Sequence, residues 1–119
     1  MSEEISPIGS IHISPRAIAS IAYHAALRSY GVVGLTHKNL LVNGLARVLV
    51  KDPMYGVEVH YESGDITIDL YVIIEYGTRI KSVASSVMNT VRYHVEKTLG
   101  IPVKAVNVHV QGLRISDLD

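Results

Sequence analysis

One stretch, Gly64 to Gly112, constrains this chain more than any other, because it fits a strand, a helix and a second strand in direct succession. From Asp65 to Tyr76, Ile66, Ile68, Leu70, Val72 and Ile74 take every second place, the period of a sheet with one buried face. Thr67, Asp69, Tyr71, Ile73 and Glu75 fall on the opposite face. Gly77 breaks the strand, and Thr78 is placed to cap the helix that follows. In that helix Ile80, Val83, Ala84, Val87, Val91, Val95 and Leu99 recur at steps of three and four, which draws one apolar stripe. Gly100 suits the left-handed residue that closes a helix, and Pro102 forbids its continuation. Val106, Val108 and Val110 then alternate with Asn107, His109 and Gln111. A helix with one apolar stripe beside strands with one apolar face must pack on them. The expected fold is therefore α/β (α+β): a single two-layer sandwich, a mixed sheet with two main helices on one face.

The second helix comes from the first part of the chain. A short strand is expected over Gly9–Ser14, with Ile11 and Ile13 on one side and His12 on the other. Ser14-Pro15 is a helix start, a capping serine followed by proline at the first helical position. The helix is expected to run to about Tyr30, before Gly31. Ile18, Ile21, Ala22 and Ala25 make its core stripe, but Ala19, Tyr23, Ala26, Leu27 and Tyr30 leave the other side unusually apolar. Two readings fit: a helix flanked on two sides within the domain, or a face for a partner. Val32 to Lys38 reads as a strand, residues 39–51 as an apolar flap with a short helix or none, and Met54 to Gly56 as a loop. Val57, Val59 and Tyr61 alternate inward, and Ser63-Gly64-Asp65 is a hairpin turn into the long strand. Residues 1–119 make one domain, with loose tails at 1–8 and 116–119.

Charge and composition exclude several functions. Eleven basic and 11 acidic residues cancel, so the chain lacks the positive field that supplies most non-specific nucleic-acid affinity. Without cysteine there is no disulfide, thiol nucleophile or thiolate metal site, which suits a reducing cytoplasm. No apolar run approaches the ~18 residues of a membrane span, and the first residues lack a signal-peptide core. Neither phosphate-binding glycine motif occurs, nor a nucleophile elbow. No cofactor is expected.

Strand parity leaves one constellation open. His12, His60 and His109 point away from the helix-covered face, as do Asp69 and Glu75. If their strands are neighbours, imidazoles and carboxylates converge there, and His12, His60, His109 and Asp69 are suitable ligands for zinc or a similar ion, which gives a metal-dependent enzyme as the alternative function. The preferred reading gives no metal, and treats that face as polar surface or docking surface. Tyr71 with His60 nearby also resembles a stacking platform for single-stranded nucleic acid, although no basic groove accompanies it and no nucleic acid is expected. Contact with a partner is assigned to Tyr23, Leu27 and Tyr30 on the helix and to Tyr71 and His109 on the sheet.

Three segments in order resemble one family. Gly9 to Ala22 (GSIHISPRAIASIA) with Tyr30 to Leu35 (YGVVGL), Ile68 to Gly77 (IDLYVIIEYG), and Val106 to Gly112 (VNVHVQG) are similar to the alkaline shock protein family, in its short branch without charged tails. The resemblance covers about Gly9 to Ile115. It implies a small, cytoplasmic, non-enzymatic protein of Gram-positive bacteria, linked to envelope stress or lipid homeostasis. It also implies a protein partner, membrane-anchored for some members. The apolar flap and open sheet face leave a homo-oligomer as a further option, and the lack of a long apolar run leaves no direct insertion into the bilayer. The family assigns no catalytic residue to carry over.

Overall fold

The alternating aliphatic residues of β3, Asp65–Glu75, build the sheet. Ile68, Leu70, Val72 and Ile74 are wholly buried and Ile66 nearly so, as their spacing requires. The computed structural model describes residues 13–38, 49 and 51–115. Along one edge of β3 runs β4, Ala105–Arg114, in parallel. The other edge is shared end to end by two antiparallel strands, β1, Val32–Leu35, beside its C-terminal half and β2, Val57–Glu62, beside its N-terminal half. The sheet is thus mixed, as expected. Ser63 and Gly64 both take positive φ, 52° and 82°, the backbone of a two-residue hairpin turn whose twist matches that of the strands. That turn fixes the register of β2 on β3, with Glu62 opposite Asp65 and Glu58 opposite Asp69.

Two long helices cover one face. Helix α1, Pro15–Leu27, starts as predicted, with the Ser14 hydroxyl accepting from the N–H groups of Arg16 and Ala17. It ends short of Tyr30. Ser29 turns back on the last turn, its hydroxyl donating to the Ala25 carbonyl at 3.1 Å and its N–H to that of Ala26. Gly31 follows at φ +89°, where a Cβ would stand 2.7 Å from the Val83 side chain, so the crossing admits glycine alone without displacement. The loop expected at Met54 to Gly56 is instead part of a short helix, α2, Pro53–Gly56, because Asp52 accepts the Met54 N–H at 3.0 Å and Pro53 takes the first helical position.

Helix α3, Ile80–Leu99, buries Val83, Val87, Val91 and Val95 and stops at Gly100, whose φ of +69° closes the last turn. Its N-cap is Arg79 and not Thr78; the Thr78 hydroxyl is engaged in the preceding turn, where it donates to the Glu75 carbonyl at 2.7 Å. Glu96 then accepts the Val103 N–H at 2.8 Å and ties the helix end to the entry of β4.

The wide apolar side of α1 has the first of its two readings. Ile18, Ala19, Ala22, Tyr23, Ala25 and Ala26 are all buried, since the helix lies against α3 as well as the sheet and α2. Small alanines allow that close approach. The expected strand at Gly9–Ser14, the flap at 39–51 and both tails fall wholly or largely outside the described residues. Leu49 is described: it bridges to Thr36, and its side chain sits over Gly34.

Candidate functional site

The sheet face turned away from the helices divides into two parts. At one end Gly34, Ile73 and Gly112 lie side by side across β1, β3 and β4, and Leu49 covers Gly34. A bulge makes this possible. Val72 pairs with Val110 and Ile73 with Gly112, so Gln111 is the extra residue and the parity of β4 is reset. The other end is polar, and its residues hold one another.

Asp69 is the centre of that cluster. Its Oδ1 accepts from the Asn107 amide at 3.0 Å and lies 3.1 Å from His109 Nε2, both presented by β4. Its Oδ2 faces His60 Nε2 on β2 at 3.0 Å. Glu58, directly across the ladder, stands 3.6 Å from the same His60 nitrogen through Oε1. That oxygen also accepts the Tyr71 hydroxyl at 3.1 Å, and Oε2 lies 3.1 Å from the Lys38 ammonium. The Tyr71 ring stacks on His109, centroids 4.7 Å apart and planes 13° apart.

These contacts set the charge state. Burial alone would raise the Asp69 carboxyl, but hydrogen bonds from His109 and Asn107 and the charges of both histidines outweigh it and hold it below the usual range. Burial acts likewise on Glu58, and is likewise outweighed by Lys38, Tyr71 and His60. Tyr71 goes the other way. Desolvation, the bond it gives to Glu58 and the two nearby carboxylates push its phenol up to about 12. At neutral pH the cluster therefore holds two carboxylates and a neutral phenol.

The sequence-predicted site residues separate into two regions. His60, His109 and Asp69 converge; Tyr71 joins them, and His12 lies outside the described residues. Two assignments need correction. Tyr23 is 7% exposed within the hydrophobic core and offers no face to a partner, so a charge placed there would unfold the protein before it tested binding. Tyr71 is 6% exposed, its ring stacked on His109, and so supports this surface instead of presenting an open platform to a base. Leu27 and Tyr30 are exposed as expected, Tyr30 at 81%. Glu58 was missed, though the hairpin could have found it: a two-residue turn at Ser63-Gly64 places Glu58 opposite Asp69 by counting back along both strands.

A second feature lies on the helix side. A groove of about 450 Å³ is lined by Tyr30, Gly77, Thr78, Arg79, Ser82, Val83 and Ser86. It opens where the turn after α1 meets the first turns of α3. Its lining carries one positive charge and no negative one.

Three comparisons bear on this architecture. The model of the alkaline shock protein 23 family, described as having a cell envelope-related function, matches residues 3–115. The chain is 43% identical over 110 residues to the uncharacterized protein YloU of Bacillus subtilis (strain 168), covering 92% of each. It is 30% identical over 108 residues to the uncharacterized protein Spy1614 of Streptococcus pyogenes serotype M6, covering 90% of this chain and 89% of that one. Among solved structures, the copper form of MamM CTD is similar at a TM-score of 0.51 and 17% identity, over 87% of this chain and 90% of that one. At that identity the likeness describes the fold alone. Among the described residues no helix is long and apolar enough to cross a membrane.

Proposed function

The chain belongs to the alkaline shock protein family, of cell envelope-related function, and on that premise we propose that it is a non-catalytic cytoplasmic protein that holds a protein partner in envelope or lipid homeostasis. The observation that carries the reading is the exposure of Tyr30. A large aromatic ring stands 81% exposed just past the end of α1, lining the same groove as Arg79. Exposed tyrosine beside a cavity is the side chain most suited to anchor an interface, since it buries much area at the cost of few rotatable bonds. The occupant is a protein segment with an acidic side chain. The groove holds one cation without a counter-charge in its lining, and it sits at the positive end of α3.

The carboxylates of the polar cluster offer no general acid at neutral pH. Glu58 and Asp69 are anionic and engaged by hydrogen bonds, so neither is poised to give up a proton near neutral pH. Lack of cysteine fits a reducing compartment. The test is affinity capture of the tagged full-length protein from its own cells, with membrane and soluble fractions kept apart. One stoichiometric protein is expected, lost from both Tyr30→Ala and Arg79→Glu while the thermal midpoint stays nearly unchanged. The same recovery from wild type and both variants would refute the assignment to this groove.

A further inference from the structure

We infer that Glu58, His60 and Asp69 form a binding site for a divalent transition-metal ion of the zinc type. One donor atom from each lies within 4.8 Å of the other two. His60 Nε2 is 3.0 Å from Asp69 Oδ2 and 3.6 Å from Glu58 Oε1. Metal–ligand bonds of about 2.0–2.1 Å at the tetrahedral angle put neighbouring donors about 3.3 Å apart. The two separations from His60 bracket that value, and the Glu58 and Asp69 donors lie within 4.8 Å of each other, so side-chain rotation on strands already paired can bring the three groups onto one ion.

Energetics point the same way. Glu58 and Asp69 are directly opposed in an antiparallel ladder, an arrangement in which like charges destabilise the sheet. A cation between them adds to the neutralisation that Lys38 and the histidines give. Imidazole in the donor set favours zinc, copper, iron or nickel over magnesium and calcium, which take oxygen alone. Around the donors stands a supporting set of the kind that fixes metal ligands. Asn107 and His109 occupy the far oxygen of Asp69 and turn its Oδ2 toward His60. Tyr71 holds Glu58 through one lone pair of Oε1 and leaves the other. The His60 side chain is 47% exposed and that of Glu58 33%, which leaves an entry path and room for a water as fourth ligand. Lys38 opposes the ion, but its ammonium sits on the outer oxygen, Oε2. The cluster lies on the sheet face away from the helices and shares no residue with the Tyr30 groove.

The experiment is a titration of untagged full-length protein with zinc chloride at neutral pH, in competition with a chromophoric chelator. One ion per chain is expected. His60→Gln, Asp69→Asn and Glu58→Gln should each weaken binding by more than roughly a hundredfold, the upper end of the cost of losing a supporting partner. His109→Gln, which acts by positioning Asp69, should cost about ten- to a hundredfold, whereas His24→Gln and His94→Gln should change nothing. Cobalt(II) substitution should give the intense visible bands of a four-coordinate ion, lost in His60→Gln. Should Asp69→Asn fail to fold, His60→Gln and Glu58→Gln on the more exposed strand β2 carry the test. Binding that is sub-stoichiometric, or equally tight in His60→Gln and Glu58→Gln, overturns the site.

Discussion

The two faces of β3 are made by alternate residues of the same strand, yet they are stabilised in unlike ways. Inward, Ile66, Ile68, Leu70, Val72 and Ile74 meet the helices, and their contribution is area removed from water, indifferent to pH and tolerant of small changes in shape. Outward, Asp69 and Tyr71 are also largely hidden, but by partners that must supply particular hydrogen bonds. The first face could be rebuilt from other aliphatic residues. The second depends on the identity of each group, and it teaches that burial by itself does not mark a core.

Substitutions on the two faces separate these terms. Leu70→Ala leaves a cavity under the helices and should cost about 2–5 kcal/mol in denaturant unfolding, at every pH where the protein folds. Asp69→Asn, one place along, should cost about 1–2 kcal/mol at neutral pH through its charge-assisted bonds. Because its folded carboxyl lies below the usual range, Asp69 stabilises the fold above the ordinary carboxylate pKa of about 4 and ceases to as pH falls through its folded value. The acid limb of the stability curve should therefore be shallower in Asp69→Asn. A Leu70→Ala loss that varied with pH, or an unchanged acid limb in Asp69→Asn, would erase the distinction between the faces.

Tyr71→Phe gives the smallest effect and the sharpest sign. The phenol is raised to about 12, so its contribution is present below the ordinary value of about 10 and is lost as pH climbs toward 12. Wild type should lose stability over that window while Tyr71→Phe, about 1 kcal/mol weaker at neutral pH, loses less. Absorbance of phenolate should show a late-titrating tyrosine that disappears in the variant.

Much of this architecture is local, and so legible in the order of residues alone. The alternation in β3, the stripe of α3, the Ser14-Pro15 start and the closing role of Gly100 each appear where their spacing put them. What failed was decided by neighbours. Tyr23 sits on the second apolar side of α1, and the packing of α1 against α3, the sheet and α2 makes that side interior. Tyr71 follows strand parity faithfully, but parity states a direction and not what lies there; His109 arrives from β4, on the far side of α3 in the chain. Thr78 lost its capping role to a competing acceptor, the Glu75 carbonyl. Glu58 was within reach, because hairpin register follows from turn length.

The tight Ser63–Gly64 turn has a kinetic consequence. β2 and β3 are joined by a two-residue turn, whereas the whole of α3 separates β4 from β3 in the chain. Local closure is fast, and parallel pairing across a helix is slow. Glu58, His60 and Asp69 all lie in that local hairpin and Asn107 and His109 on the long-range partner, so the trio is expected to assemble before its supports, and substitutions in the turn should slow folding more than substitutions in β4.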